Sequence, residues 1–298
     1  MTKVEWNRRQ FLTGLAGAPL LAISATAVYA RFIEPYYYRI AEQDVFVRDL
    51  SPAFENFRIT QITDIHHSRI VGIDEVDRVI SLAQSTNPDL IALTGDYTTT
   101  YRRFIEPCAA TLGNLNAPEG VWAVLGNHDH YTDPELTTRA LERHHISVLD
   151  NANTVLKRGA DTLQLAGIDD WSWARTDWPR VFHGIDQNQP TVLLSHQPAV
   201  LDLAQTQRVS LILSGHTHGG QVTVPFIGAP ARLATKDLKY AHGLFRRGET
   251  QLYVSSGTGV IGLPMRLGVR PEIAVLRLRR ELRTSRRQLS VTAESPST

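Results

Sequence analysis

Five short apolar runs in this chain each break off at residues that can bind a metal. Phe57 to Thr63 (FRITQIT) runs into Asp64-Ile65-His66-His67, Leu90 to Thr94 into Gly95-Asp96, and Val121 to Leu125 into Gly126-Asn127-His128-Asp129-His130. Thr191 to Ser195 runs into His196-Gln197-Pro198, and Val209 to Ser214 into Gly215-His216-Thr217-His218-Gly219-Gly220. Runs this short and this rich in Val, Ile and Leu read as buried strands. A strand end needs only a turn former such as Gly, Asn or Asp, so the histidines exceed what the turn requires. In a sheet with helical crossovers, ligands collect at the carboxyl ends of the strands, which would bring the five clusters together.

Between the runs lie helical patterns. Val76, Val79, Ile80 and Ala83 recur at helical spacing behind Asp74, which reads as the N-cap, and Asp133-Pro134 supplies an N-cap followed by a proline at the first helical position. Thr154 to Lys157, Thr162 to Ala166, Gln251 to Ser255 and Ile273 to Leu278 lack intervening helices, which predicts hairpins or a second sheet. The mixture predicts two packed sheets flanked by helices. No repeat or linker divides the chain after Asp44.

The residue types point to metal chemistry. Asp64 and His66 are two apart, so on an extended chain they face the same side and can grip one ion. His216 and His218 repeat that spacing, and the flanking Gly215, Gly219 and Gly220 allow close backbone approach. Cys108 is the only cysteine, which excludes an intrachain disulfide and a thiolate cluster and leaves N and O ligands. Carboxylate, imidazole and amide donors together suit Mn, Fe, Co or Zn better than Ca or Cu(I). A carboxylate bridging two such ions holds them about 3.5 to 4 Å apart, the arrangement for in-line displacement at phosphorus. Asn127 can be a ligand, His128 can face substrate and Asp129 can orient His128. His67, His130 and Asp170 adjoin the clusters and are candidate substrate contacts.

The order D-x-H, GD, GNHD, a lone His and GHxH resembles the calcineurin-like metallophosphoesterase superfamily over about Asp44 to Leu278. With the segment GTGVIGLPMRLGVRPEIAVLRL (Gly257 to Leu278), the chain is most similar to the exported bacterial phosphodiesterases of the YaeI/YkuE type. The resemblance implies a four-layer α/β/β/α sandwich of two mixed sheets spanning residues 44–280. It also implies two divalent ions, manganese first among the candidates. One would be held by Asp64, His66, Asp96 and His218, the other by Asp96, Asn127, His196 and His216, with Asp96 as the bridge. The implied reaction is hydrolysis of a phosphodiester or pyrophosphate by hydroxide held between the metals, with His128 as transition-state hydrogen-bond donor or leaving-group acid. Lipid-linked diesters and sugar-nucleotide pyrophosphates are among the implied substrates. Purple acid phosphatases of the same superfamily carry a tyrosine three residues after the GD aspartate; Thr99 stands there, which argues against an iron-tyrosinate centre. A non-catalytic interaction module on this fold would be expected to have lost ligands or His128, and none is lost.

The ends of the chain speak to location. Arg8-Arg9 with Phe11-Leu12 precedes the apolar stretch Phe11 to Ala30, resembling a twin-arginine signal, although Asn7 stands where Ser or Thr is usual. Residues 1–43 therefore read as a signal or membrane anchor with its linker, delivered by the twin-arginine export machinery to the periplasm or the outer face of the cytoplasmic membrane. Cleavage after Ala27 and retention as an anchor both remain open. Residues 281–298 read as an Arg/Ser-rich tail, and Arg277, Arg279, Arg280, Arg283, Arg286 and Arg287 crowd that end. Trp171, Trp173 and Trp178 on a predicted loop would suit core or a membrane interface. The net charge of +1 says nothing about partners, but the central sequence has no basic patch large enough to suggest nucleic acid, so no nucleic-acid partner is expected.

Overall fold

A computed structural model describes residues 8–173, 175–186, 188–203, 209–224, 227–230 and 239–281, with the backbone alone for residues 8–19. Helix α1 (Arg8–Phe32) leads into strand β1 (Arg39–Val47), followed by β2 (Arg58–Ile62), α2 (Ile73–Gln84), β3 (Leu90–Thr94), α3 (Ile105–Leu112) and β4 (Val121–Val124). Next come α4 (Asn127–Thr132), α5 (Pro134–Arg143), β5 (Ser147–Val148), β6 (Ala152–Arg158), β7 (Asp161–Gly167), α6 (Trp178–Val181) and β8 (Thr191–Leu194). The chain closes with β9 (Leu211–Ser214), β10 (Gly243–Arg247), β11 (Thr250–Val254) and β12 (Glu272–Arg280).

Two six-stranded mixed sheets result, ordered β1-β12-β2-β3-β4-β5 and β10-β11-β9-β8-β7-β6. Strand alternation explains the layers. On β2, Ile59 joins the core between the sheets with Leu90, Ala92, Leu165, Leu194 and Leu213, whereas Ile62 turns outward with Ile91 and Leu93. There they meet Val76, Val79 and Ala83 of α2 and Leu112 of α3. The outer face of the second sheet packs Ile212 and Leu193 under Val181 of α6 and Val200. The order of layers is therefore helix, sheet, sheet, helix, with a thin last layer.

Several local expectations change. The N-cap of α2 is Gly72, and Asp74 lies within the first turn, where its charge faces the positive end of the helix. Asp133 does cap α5, its side chain accepting from Leu136 N. The run at Ile273 enters the first sheet as β12, antiparallel to β2, because its other edge takes the parallel strand β1. Arg277, Arg279 and Arg280 belong to β12 rather than to a tail: Arg277 pairs with Asp44 and Arg279 with Glu55. Arg283, Arg286 and Arg287 lie outside the described residues.

In α1, the side chains of Leu20, Leu21 and Ile23 are two-thirds exposed or more. The end of the helix is tied to the domain, since Arg266 N donates to Ala30 O and Gly268 N donates to Glu34 Oε2. Among the described residues no helix is long and apolar enough to cross a membrane.

Candidate metal centre and active site

Strands β2, β3 and β4 run parallel in one sheet and β8 and β9 run parallel in the other, so all five site loops leave the same edge of the sandwich. Buried polar residues join the two sheets at that edge. Gln61 Nε2 donates to Thr94 Oγ1 and to Ser214 O, each at 2.9 Å, and His196 Nδ1 lies 2.7 Å from Thr94 O.

Asp64, His66, Asp96, His216 and His218 all adopt positive φ, between 50° and 70°. This left-handed region is uncommon for non-glycine residues, though Asp and His tolerate it better than most, and it concentrates at functional sites. Asp64 and His66 thus reach one side of the chain through two left-handed turns beyond β2, not through an extended strand. Glycines permit the crowding. A Cβ on Gly215 would fall 2.1 Å from Asp64 Oδ2, and one on Gly126 would fall 2.3 Å from Asp96 Oδ1.

The donor atoms form two adjoining groups. In the first, His66 Nε2 lies 3.1 Å from His218 Nε2, and Asp64 Oδ1 lies 3.4 Å from His218 Nε2 and 4.0 Å from His66 Nε2. In the second, Asn127 Oδ1 lies 3.1 Å from His196 Nε2 and 2.9 Å from His216 Nδ1. Asp96 Oδ2 stands between them, 3.5 Å from His66 Nε2 and 3.2 Å from His196 Nε2. Every one of the seven proposed ligands is therefore in this cluster.

A divalent ion fits this donor set. Adjacent ligand atoms about 2.0 to 2.2 Å from one ion lie roughly 3.0 to 3.5 Å from each other, close to most of these separations, with Asp64 Oδ1 to His66 Nε2 wider at 4.0 Å. The Thr94 carbonyl takes the Nδ1 proton of His196, which turns its Nε2 lone pair toward the oxygens of Asp96 and Asn127. Three acceptors facing one another call for a positive charge among them. Burial opposes a charge on His196, yet Asp96 beside it raises its pKa well above the usual value. Burial pushes the Asp64 carboxyl up, and it lowers His66 to about 3.

His128 stands at the rim. Its ring is edge-on to His66 at 4.9 Å, its backbone N donates to Asp96 Oδ1 at 2.8 Å, and its Nδ1 lies 2.8 Å from Thr99 O. That contact corrects one expectation: Asp129 does not orient His128. The Asp129 carboxylate instead accepts from Asp96 N, Tyr97 N and Gly126 N, bracing the turn that presents Asp96 and capping α4. Burial, with Asp96 nearby, raises the Asp129 carboxyl to about 7 against the backbone donors of Gly126 and Asp96 and the nearby His196.

The match to known proteins follows the same residues. Residues 57–220 fit the family described as calcineurin-like phosphoesterase. The chain belongs to that family. It is 32% identical over 290 residues to the Bacillus subtilis metallophosphoesterase YkuE, covering 92% of this chain and 98% of that one. It is 31% identical to the phosphodiesterase YaeI of Escherichia coli K12, covering 91% of this chain and 99% of that one. A transmembrane protein with a metallophosphoesterase domain from Danio rerio is 32% identical, and the chain spans 60% of its length.

Around the donor cluster the remaining candidates separate. His67 is buried, its Nδ1 beside Val71 O and its ring against Phe104. His130 Nε2 meets Asp169 Oδ1 at 2.6 Å, and its ring stacks on Trp173. Asp170 is buried, accepting from Ser172 N and, through Oδ1, from Gln197 Nε2, while its Oδ2 has no hydrogen-bond partner among the described residues. Trp171 and Trp173 are about 40% exposed, whereas Trp178 stacks on Phe182 and packs against the outer core. Tyr97 is core, its hydroxyl donating to Val124 O at 2.8 Å, so no phenol reaches the donor cluster from the GD turn.

Residues that sequence reasoning missed include Thr63, Gln61, Tyr131 and Arg266. Thr63 Oγ1 donates to Asp64 Oδ2 at 2.8 Å. A glutamine and threonines inside otherwise apolar strands were the available signal for the first two. Tyr131 is 65% exposed and contacts His128 and Trp173 edge-on, forming an aromatic rim on one side of the site.

Proposed function

We propose that this chain is a two-metal phosphodiesterase acting on a phosphodiester or pyrophosphate. The observation that carries the reading is the placement of Asp96 Oδ2 within 3.5 Å of imidazole nitrogens from both donor groups. In this reading Asp64, His66 and His218 complete one site, and Asn127, His196 and His216 the other. When bound, two such ions supply Lewis acidity at the phosphoryl group and acidify water. The chain's own contribution is position and proton handling. With its Nδ1 proton held by the Thr99 carbonyl, His128 exchanges protons at Nε2. In its protonated form that nitrogen donates to a developing oxyanion or to the departing oxygen. The name of YaeI supports a diester over a monoester. Manganese-, zinc-, cobalt- or iron-loaded protein should hydrolyse bis-aryl phosphodiesters and pyrophosphates faster than aryl monoesters. No turnover of any class by protein carrying two ions would leave the reading without support and favour a binding module.

For location, the reading is export by the twin-arginine route to the outer face of the cytoplasmic membrane or the adjoining compartment, with a lipid-linked diester as substrate class. Support comes from Arg8-Arg9 ahead of Phe11-Leu12 and from the exposed apolar side chains on α1 and at Trp171 and Trp173. Replacing Arg8 and Arg9 by Lys is expected to leave folded, active protein in the cytoplasm, measured by fractionation. Normal export of that variant would remove the twin-arginine assignment.

A further inference from the structure

Among the described residues Arg266 is the largest fully buried side chain. A buried guanidinium is costly unless paired and hydrogen-bonded. Among the described residues no carboxylate pairs with it; backbone carbonyls surround it instead. Its Nη2 lies 2.9 Å from Ser256 O, 3.1 Å from Gly257 O and 2.6 Å from Gly259 O, its Nε 3.0 Å from Gly259 O and its Nη1 3.3 Å from Val269 O. The same Nη2 touches His218 Nδ1 at 3.4 Å.

The loop it gathers lies directly behind Asp64. Thr258 N donates to Thr63 O at 3.0 Å and Gly259 N donates to Asp64 O at 2.8 Å. The approach leaves no room for side chains: a Cβ on Gly257 would meet Asp64 Cβ at 2.6 Å, and one on Gly259 would meet Ile65 O at 2.1 Å. The loop therefore fixes the left-handed turn that presents Asp64, while the guanidinium abuts His218.

We infer that Arg266 is a positioning residue for the Asp64, His66 and His218 half of the metal centre, acting through the Ser256 to Gly259 loop. The inference rests on the two-metal reading above, but not on any reaction. A fixed positive charge beside a cation site opposes metal binding, so its benefit must be geometric: one planar fork satisfies carbonyls that would otherwise repel one another. Lysine keeps the charge and lacks the fork, which makes Arg266→Lys the informative variant. It also accounts for why the glycines at Gly257 and Gly259 and the arginine at Arg266 occur in one segment.

Metal-free protein titrated with zinc or manganese by calorimetry should show two binding events. In Arg266→Lys, one should weaken by roughly 10- to 100-fold, the range for outer-shell partners of metal ligands, while the other holds within about twofold. In a His216→Ala background, which disables the Asn127, His196 and His216 half, the surviving event should be the one weakened. Folded Arg266→Lys with both affinities unchanged, or both reduced alike, overturns the inference. Should the variant not fold, the unaltered protein decides. Coupling is reciprocal, so zinc should slow amide exchange at Thr258 and Gly259 by roughly fivefold or more relative to the β6–β7 hairpin. Equal exchange in the two states overturns it. Neither readout uses a substrate, so two bound ions without hydrolysis would count against the proposed function and leave this inference standing.

Discussion

Asp96→Asn is expected to abolish stoichiometric loading of two metals and to lower turnover by at least about 10³-fold, because it removes the shared anionic ligand and changes which atom faces the metals. Asp96 Oδ1 accepts the backbone N–H of His128 at 2.8 Å. An asparagine in this pocket must place its oxygen there, since its NH₂ cannot accept. The amide nitrogen is then forced to the Oδ2 position, 3.5 Å from His66 Nε2 and 3.2 Å from His196 Nε2. A donor would point where two cations need an anion. The fold should survive, because the turn at Asp96 is held by its own N–H to Asp129 rather than by its carboxylate. Metal analysis of purified protein and single-turnover rates with a bis-aryl diester check this. Two bound ions and a near-normal rate in the variant would remove the bridge assignment.

The convergence of the five strand ends was legible because each central strand is a short Val, Ile and Leu run with a metal-capable residue at its carboxyl end. Strand β1 was not among the strands read from the sequence. Arg39, Glu42 and Gln43 make its first half read as polar linker, and its pairing partner β12 lies more than two hundred residues away. The place of β12 between β1 and β2 is likewise a tertiary outcome that no local pattern encodes. At the site, the membership of the donor cluster was legible while conformation was not: the i, i+2 spacing of Asp64 and His66 suggested an extended chain, and the same convergence is reached through positive φ.

Roles beyond the proposed ligands depended on which hydrogen bond wins. Asp129 follows His128 in sequence, yet the backbone donors of Asp96, Tyr97 and Gly126 claim its carboxylate. The backbone of Thr99 orients His128 instead, and a carbonyl leaves no trace in residue type. His67 and His130 neighbour the motifs but spend their rings on Val71 O and Asp169. Arg266 shows the opposite failure. A charged side chain ordinarily stays at the surface, and only the ring of carbonyls around this one shows why it is buried.

His128→Ala is the complementary test, since it should separate chemistry from metal loading. The hydrogen bond from His128 to the proposed ligand Asp96 comes from its backbone N–H, which alanine retains. Both ions should therefore bind as in the unaltered protein. What disappears is an imidazole whose Nδ1 is held by Thr99 O and whose ring sits edge-on to His66. A positioned acid or oxyanion donor of this kind is worth on the order of 10² to 10⁴ in rate. The two roles differ in their dependence on the leaving group. An acid is needed most by a poor leaving group such as an alkoxide and least by nitrophenolate, so the loss should shrink as the leaving group improves. A donor that stabilises charge on the phosphoryl oxygens costs the same across the series. Rates for a set of phosphodiesters of graded leaving-group pKa, measured on metal-replete His128→Ala and unaltered protein, distinguish them. A sloped ratio assigns His128 as the acid, a flat loss assigns it to the oxyanion, and no loss in either series would remove His128 from the chemistry.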